Sequence, residues 1–386
     1  MILLKNGTLY TMEEEGILSR CDLLIEEGKI AAIGQDLACP TAETIDATGL
    51  HVLPGLVDGH FHGGGFDMAL RSDVNENSGP MAPQLQVFYS IDVRDPGFRL
   101  ACKSGVTTVC IAPGSSNVIG GVCITTKTYG DSLYDMVLQN PAAMKCAMAQ
   151  PKTYGGSGKA PASRMALAAM LREALRKARE YQEKQSAAEE ESKWPPYDAQ
   201  CEALLPVLRR EIPIKVHCQL KPFDMLTVIE ISKEFDIRYT LDHGFAADRF
   251  LEEIYEGGGH LFYGPIGIPT GGPEVRAGSD IMEVKRLEER GIPISLITDA
   301  PVYSAEILLF SAGEAVRVGI PHQRALRMIT LSPAQGLGLD HRIGSLKVGK
   351  DADLAIFTGI PAVEAKAAVV YTIIDGKVIY MSGGKI

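Results

Sequence analysis

Leu53-Pro54-Gly55-Leu56-Val57-Asp58-Gly59-His60-Phe61-His62 is the stretch on which the reading of this chain turns. The run from Val52 to Val57 is short, apolar and punctuated by Pro54 and Gly55, the composition of a buried strand. Side chains two apart on an extended chain leave the same side, so His60 and His62 emerge together at its end. Two imidazoles so placed make half of a tetrahedral metal site, open toward whatever lies above the strand. A pair of packing or surface histidines has the same spacing, so the rest of the chain must decide.

Downstream, further strand-like runs alternate with mostly helical patterns. They are Val106–Ala112, Val122–Lys127, Met144–Ala149, Ile214–Cys218, Tyr239–His243, His260–Tyr263 and Ile294–Thr298. With Val52–Val57 these predict eight βα units closing into a parallel barrel, whose chemistry gathers at the C-terminal strand ends. From Pro161 to Pro196, Leu167, Met170, Leu171 and Leu175 form a helical stripe that gives way to a charged stretch, Glu183–Lys193, read as a solvated helix end.

Both ends of the chain read as strands and tight turns. Asn6-Gly7, Glu27-Gly28 and Asp375-Gly376 are hairpin-type dipeptides between apolar runs. Neither end buries a sheet face alone. The expectation is an α/β chain: a (β/α)8 TIM barrel over residues 54–345, with a small β-sandwich domain built from both termini, 1–53 and 346–386.

Composition narrows the function. With 46% hydrophobic and 22% charged residues, the chain has ample material for a core. A net charge of −10 without a basic run argues against nucleic-acid or anionic-membrane partners. The eight cysteines include no CxxC pair, and several lie in apolar runs, as buried thiols in a reducing cytoplasm do. No secretory leader pattern or long apolar span is seen, so a cytoplasmic location is expected. The expected partner is a small-molecule substrate, with a homo-oligomer left open.

Polar residues then fall where the barrel would place chemistry. His217 closes Ile212–His217, His243 closes Arg238–His243, and Asp299 closes Ile292–Asp299. With His60 and His62, strands one, five, six and eight each end in an imidazole or carboxylate. His51, His260, His322 and His341 lack that placement and read as structural or exposed.

This pattern resembles the amidohydrolase superfamily: His-x-His after strand one, His after strands five and six, Asp after strand eight. The resemblance covers nearly the whole chain, including Ser332-Pro-Ala334 and Arg342-Ile-Gly-Ser-Leu-Lys-Val-Gly-Lys-Asp-Ala-Asp-Leu354. Within the superfamily the chain is most similar to imidazolonepropionase and related enzymes, through Pro113–Gly121, Leu241-Asp-His-Gly244 and Ile297-Thr-Asp-Ala-Pro301. The resemblance implies a divalent metal held by His60, His62, His217 and Asp299, with His243 and Asp299 as catalytic groups.

One departure bears on the ion count. Binuclear members carry a carboxylated lysine or a glutamate at the end of strand four, bridging two ions. The corresponding region here reads Lys145-Cys-Ala-Met-Ala-Gln150-Pro-Lys152, with a neutral glutamine where related proteins carry the glutamate. Lys145 is read as beginning the strand, too deep to reach the site, and Lys152 as lying beyond it. One ion per chain is therefore expected, zinc by its affinity for imidazole, with iron or manganese allowed.

The implied reaction is hydrolysis of a small molecule's C–N bond, in an amide or cyclic amide, by metal-bound hydroxide. Asp299 would move the proton and His243 would polarise the carbonyl or steady the oxyanion. Tyr263, Lys127 and Gln150 are the expected substrate contacts. Gly114–Gly121 either lines the substrate side or serves close turns, and Gly63 to Pro96 is a candidate lid. A deaminase of amino-heterocycles, a prolidase-like dipeptidase and a non-catalytic barrel scaffold are the alternatives.

Overall fold

The computed structural model describes residues 1–65, 74–76, 78–148, 161–219, 221–266 and 280–383. Strands from both ends of the chain share one sheet. The first are β1 (Ile2–Tyr10), β2 (Ile17–Glu26), β3 (Lys29–Gly34), β4 (Glu43–Asp46) and β5 (His51–Pro54). The barrel follows with β6 (Leu56–Phe61), β7 (Val106–Ile111), β8 (Ile119–Lys127), β9 (Val137–Ala147), β10 (Ile214–Cys218), β11 (Tyr239–His243), β12 (His260–Tyr263) and β13 (Ile294–Leu296). The chain then returns through β14 (Leu354–Phe357), β15 (Val369–Ile374) and β16 (Lys377–Met381).

The terminal sheet runs β16-β15-β14-β5-β1-β2-β3, with β4 beside β1. Its two halves meet where β14 pairs antiparallel with β5, Leu354 opposite Pro54 and Phe357 opposite His51. Glu27-Gly28 and Asp375-Gly376 make the expected two-residue turns, with φ of 49° and 76° in one and 47° and 73° in the other. Asn6-Gly7 does not turn the chain. Asn6 takes a φ of 62° inside β1, where the register against β2 slips between Leu4 and Gly7, so this dipeptide marks a bulge.

The expected strand Val52–Val57 is two strands in two sheets. The break is at Gly55, where a β-carbon would lie 2.1 Å from the Thr107 hydroxyl, so only glycine lets the backbones approach. Val52 packs into the terminal sheet's own cluster, whereas Leu53 and Leu56 join the barrel's.

The barrel sheet runs in sequence from β6 to β13 and is nearly closed: past β13, Ala300 bridges Phe61 and its carbonyl accepts the His62 amide at 2.7 Å. It is not all parallel. β8 runs antiparallel to both β7 and β9. The cause is connection length, since residues 112–118 are too few for the crossover of a dozen or more residues that a parallel pair needs. Helices flank the other strands. The longest, Arg164–Ala187, is capped by Ser163 and buries Leu167, Leu171 and Leu175 as expected, then Ala178 and Tyr181. No helix among the described residues is long and apolar enough to cross a membrane, and all eight cysteines are free thiols.

The reversal of β8 relocates Lys127. As the last residue of an antiparallel strand, it sits opposite Thr108 near the start of β7, at the barrel end away from the ligand-bearing strand ends. The expected substrate contact is instead a buried ion cluster against the terminal sheet. The Lys127 ammonium donates to Asp351 at 3.0 Å and to Asp353, with Asp375 3.3 Å away. Burial pushes both carboxyls up; at Asp351 the cations Lys127, Lys29 and Arg342 overcome it and hold the group at about 2, while at Asp353 burial wins. Removing one member of a buried pair strands the other, so Lys127→Ala is expected to cost about 3–5 kcal/mol. A denaturant midpoint close to the parent's would show that the cluster tolerates the loss.

Candidate metal centre

Asp58, His60 and His62 alternate along and just past β6, so all three point into the barrel. His217 lies on β10, His243 ends β11, and Asp299 follows β13. These side chains converge. His60 Nε2 lies 3.2 Å from His62 Nε2. Asp299 Oδ1 is 3.5 Å from His60 Nε2 and 3.2 Å from His62 Nε2. The His217 and His243 rings stand 4.2 Å apart between centroids, and those of His60 and His243 4.9 Å. Ligand atoms of His60, His243 and Asp299 all lie within 4.8 Å of one another. Both His243 and Asp299 sit at positive φ, 68° and 58°, a conformation uncommon for residues other than glycine and found most often in Asn, Asp and His.

Each imidazole is held from behind through Nδ1. His60 bonds the Asp242 carboxylate at 2.6 Å, His62 the Ala112 carbonyl at 2.7 Å, and His243 the Gly264 carbonyl at 2.8 Å. His217 bonds the Ser115 hydroxyl at 2.9 Å. Nε2 of each ring therefore faces the centre, and those of His217 and His243 are buried with no hydrogen-bond partner. Buried polar atoms without partners are uncommon and ask for a reason. Imidazoles fixed through one nitrogen with the other aimed inward are the arrangement metal-ligating histidines show. The donor set fits a divalent transition metal.

Electrostatics agree. Burial, reinforced by the Lys145 charge, holds His60 well below the ordinary imidazole value. Burial likewise holds His217 well below that value and lowers His243, keeping their lone pairs available. At Asp299 burial works upward, but the surrounding imidazoles of His62, His243 and His60 outweigh it and keep the carboxylate ionised. Beneath the site, Asp58 accepts from the His60 amide at 3.2 Å and from the Thr298 hydroxyl, and burial pushes its carboxyl up to about 7.

Two further placements differ from the sequence expectation. Lys145 is not too deep: β9 begins at Val137, so Lys145 lies near its end and brings Nζ within 3.4 Å of His60 Nε2. Tyr263 faces the opposite way from a substrate contact. Phe262 takes the inward position, under the Lys215 ammonium, so alternation sends Tyr263 outward, where its hydroxyl donates to Glu283 at 2.8 Å. Gln150 and Lys152 lie outside the described residues. The glycine stretch serves close approach: at Gly121, φ is 120° and a β-carbon would come within 2.5 Å of the Leu85 carbonyl. Of the candidate lid, Val74 and Val87 are buried in the barrel cluster.

Asp242 and Lys215 escaped the sequence reading. The Lys215 ammonium donates to Asp242 at 2.8 Å, balancing the carboxylate that holds His60. Lys215 lies two residues before His217, the same-face spacing that marked His60 and His62, so this signal was available.

A family model for the amidohydrolase family matches residues 227–379. The crystal structure of an amidohydrolase from Thermotoga maritima MSB8 superposes with a TM-score of 0.93 at 31% identity, covering 99% of this chain and 100% of that one. The chain belongs to the amidohydrolase family. Among other relatives of this amidohydrolase, amidohydrolase tasK of Hapsidospora irregularis is 26% identical over 402 residues, 92% of this chain and 39% of that protein. A dihydroorotase of Bacillus thuringiensis (strain Al Hakam) is 34% identical over 116 residues, 30% of this chain and 22% of that enzyme. The chain thus spans 39% and 22% of the lengths of these two relatives.

Proposed function

We propose that this amidohydrolase is a metal-dependent hydrolase of a small molecule's C–N bond, in an amide or cyclic amide. The observation that carries the reading is the set of back-held imidazoles, His60, His62, His217 and His243, presenting Nε2 to one buried centre beside Asp299. A scaffold barrel has no need to bury the Nε2 atoms of His217 and His243 without a hydrogen-bond partner beside His60, His62 and Asp299. A divalent ion bound there would act as a Lewis acid and lower the pKa of bound water from about 15.7 toward about 7. Imidazole-rich donors suit zinc, with iron and manganese compatible.

Within that site Asp299 is the proton carrier. It is the carboxylate at the centre, so it accepts a proton from attacking water and delivers it to the leaving nitrogen. His243 has a different role from the one expected at the outset. Its Nδ1 faces a carbonyl that can only accept, so its neutral ring presents a lone pair at Nε2. A lone pair coordinates a cation and cannot donate to an oxyanion, which makes His243 a ligand.

Lys145 and His243 together favour a second reading of the metal content, two ions in place of one. A protonated amine 3.4 Å from a ligand nitrogen opposes a cation, whereas a Lys145 carbamate would supply a bridging carboxylate. Elemental analysis of protein purified without chelator is expected to give two equivalents, with intact mass showing one added carbon dioxide lost on acidification. One equivalent and an unmodified Lys145 would restore the single-ion site.

The substrate class is tested by supplying cyclic amides, dipeptides and amino-heterocycles to the metal-loaded protein, following ring opening and ammonia. Ring opening or amide cleavage is expected. Ammonia release from amino-heterocycles alone would make the enzyme a deaminase, and cleavage confined to dipeptides a dipeptidase.

A further inference from the structure

Three of the four imidazoles have a rear partner that can only accept a hydrogen bond: the Asp242 carboxylate and the carbonyls of Ala112 and Gly264. Each forces the proton onto Nδ1 and leaves Nε2 with its lone pair. His217 differs, because Ser115 offers a hydroxyl that can accept from Nδ1 or donate to it. If it donates, Nε2 carries the proton and cannot bind a cation. The orientation of one serine hydroxyl thus bears on whether His217 serves.

The loop carrying Ser115 is firmly held. Its Gly114 amide donates to the Val74 carbonyl at 2.7 Å, and the Ser116 amide to Asn75 Oδ1 at 3.2 Å. The buried Asn117 side chain donates to the carbonyls of Glu76 at 2.6 Å and Gly79 at 2.8 Å. Gly114 is required here, since a β-carbon would meet the Asn75 side chain at 2.1 Å. Topology explains why this loop reaches the site: β8 reverses, so the tip of the β7–β8 hairpin lies on the ligand face.

We propose that Ser115 is the positioning residue of His217, its hydroxyl accepting from Nδ1 and the Asn75–Asn117 latch fixing the hydroxyl in place. The proposal rests on His217 being a metal ligand. Partners behind a ligand typically contribute 10–100-fold to metal affinity.

The test measures zinc affinity by chelator competition, and the visible spectrum of the cobalt-substituted protein, on the full chain stripped of metal. Ser115→Ala is expected to weaken zinc binding about 10–100-fold and to alter the cobalt spectrum. Ser115→Thr, which restores a hydroxyl, should return both toward the parent, and Ser115→Val, its isostere without one, should not. Asn117→Ala, which frees the loop, should fall between. The Thr and Val pair decides the matter even if the alanine variant folds poorly. Equal zinc affinity in Ser115→Thr and Ser115→Val overturns the proposal, provided His217→Ala has lost affinity. Parent-like affinity in His217→Ala would instead remove His217 from the metal site and defeat the underlying reading.

Discussion

Asp299→Asn is expected to lower turnover by about 10²–10⁴-fold, the usual worth of a positioned acid–base group, while most of the bound metal is retained. The substitution isolates the proton from the ligand. Asparagine keeps an oxygen where Asp299 Oδ1 stands, 3.2 Å from His62 Nε2. It also tolerates the positive φ of 58° found here, so the backbone after β13 need not move. What it loses is the ability to accept a proton. The fall should appear in kcat with little change in KM, because an interaction used in the transition state is being removed. Turnover near the parent's in a metal-replete variant would take Asp299 out of the mechanism. Alanine at the same position would confound ligand, shape and proton.

Much of this centre was legible because buried strands read as apolar runs and the chemistry sits where each run ends. β10, β11 and β12 match their expected bounds. The failures have identifiable causes. An apolar run looks the same in either direction, so β8 passed for a parallel strand although the seven positions 112–118 cannot hold a crossover. Reversing β8 is what carried Lys127 to the far end and brought Ser115 to the near one. Lys145 was misjudged because β9 starts well before its apolar part, at Val137, and the lysine's distance from the strand end was counted from the wrong residue. Tyr263 failed by one step of alternation, the smallest error a strand allows and enough to invert a side chain. Asp242, beside His243, was read only as part of a motif. Its contact with His60 joins strands distant in sequence, which local pattern does not reveal.

Removing residues 354–386 is expected to leave a chain that does not fold to a soluble, metal-binding form. β14 is the hinge of that expectation, since its alternation serves two cores at once. Leu354 and Ile356 belong to the terminal sheet's cluster, and Ala355 and Phe357 to the barrel's. The deletion also takes Ile373 and Ile374, both buried. Each large apolar side chain is worth roughly 1.5–3 kcal/mol on burial. The five side chains Leu354, Ile356, Phe357, Ile373 and Ile374 together rival the whole net stability of about 5–15 kcal/mol. The loss extends beyond area. β5 would become an exposed apolar edge, a template for aggregation, and Thr372 would no longer donate to the Cys102 carbonyl at 2.7 Å on the barrel side. Substitution at the metal centre should behave in the opposite way: His217→Ala removes a donor and leaves both clusters whole, giving folded protein with weakened metal binding. Circular dichroism and metal content, measured on both, separate the two outcomes. A folded, metal-replete truncation would show that the terminal sheet is dispensable to the barrel.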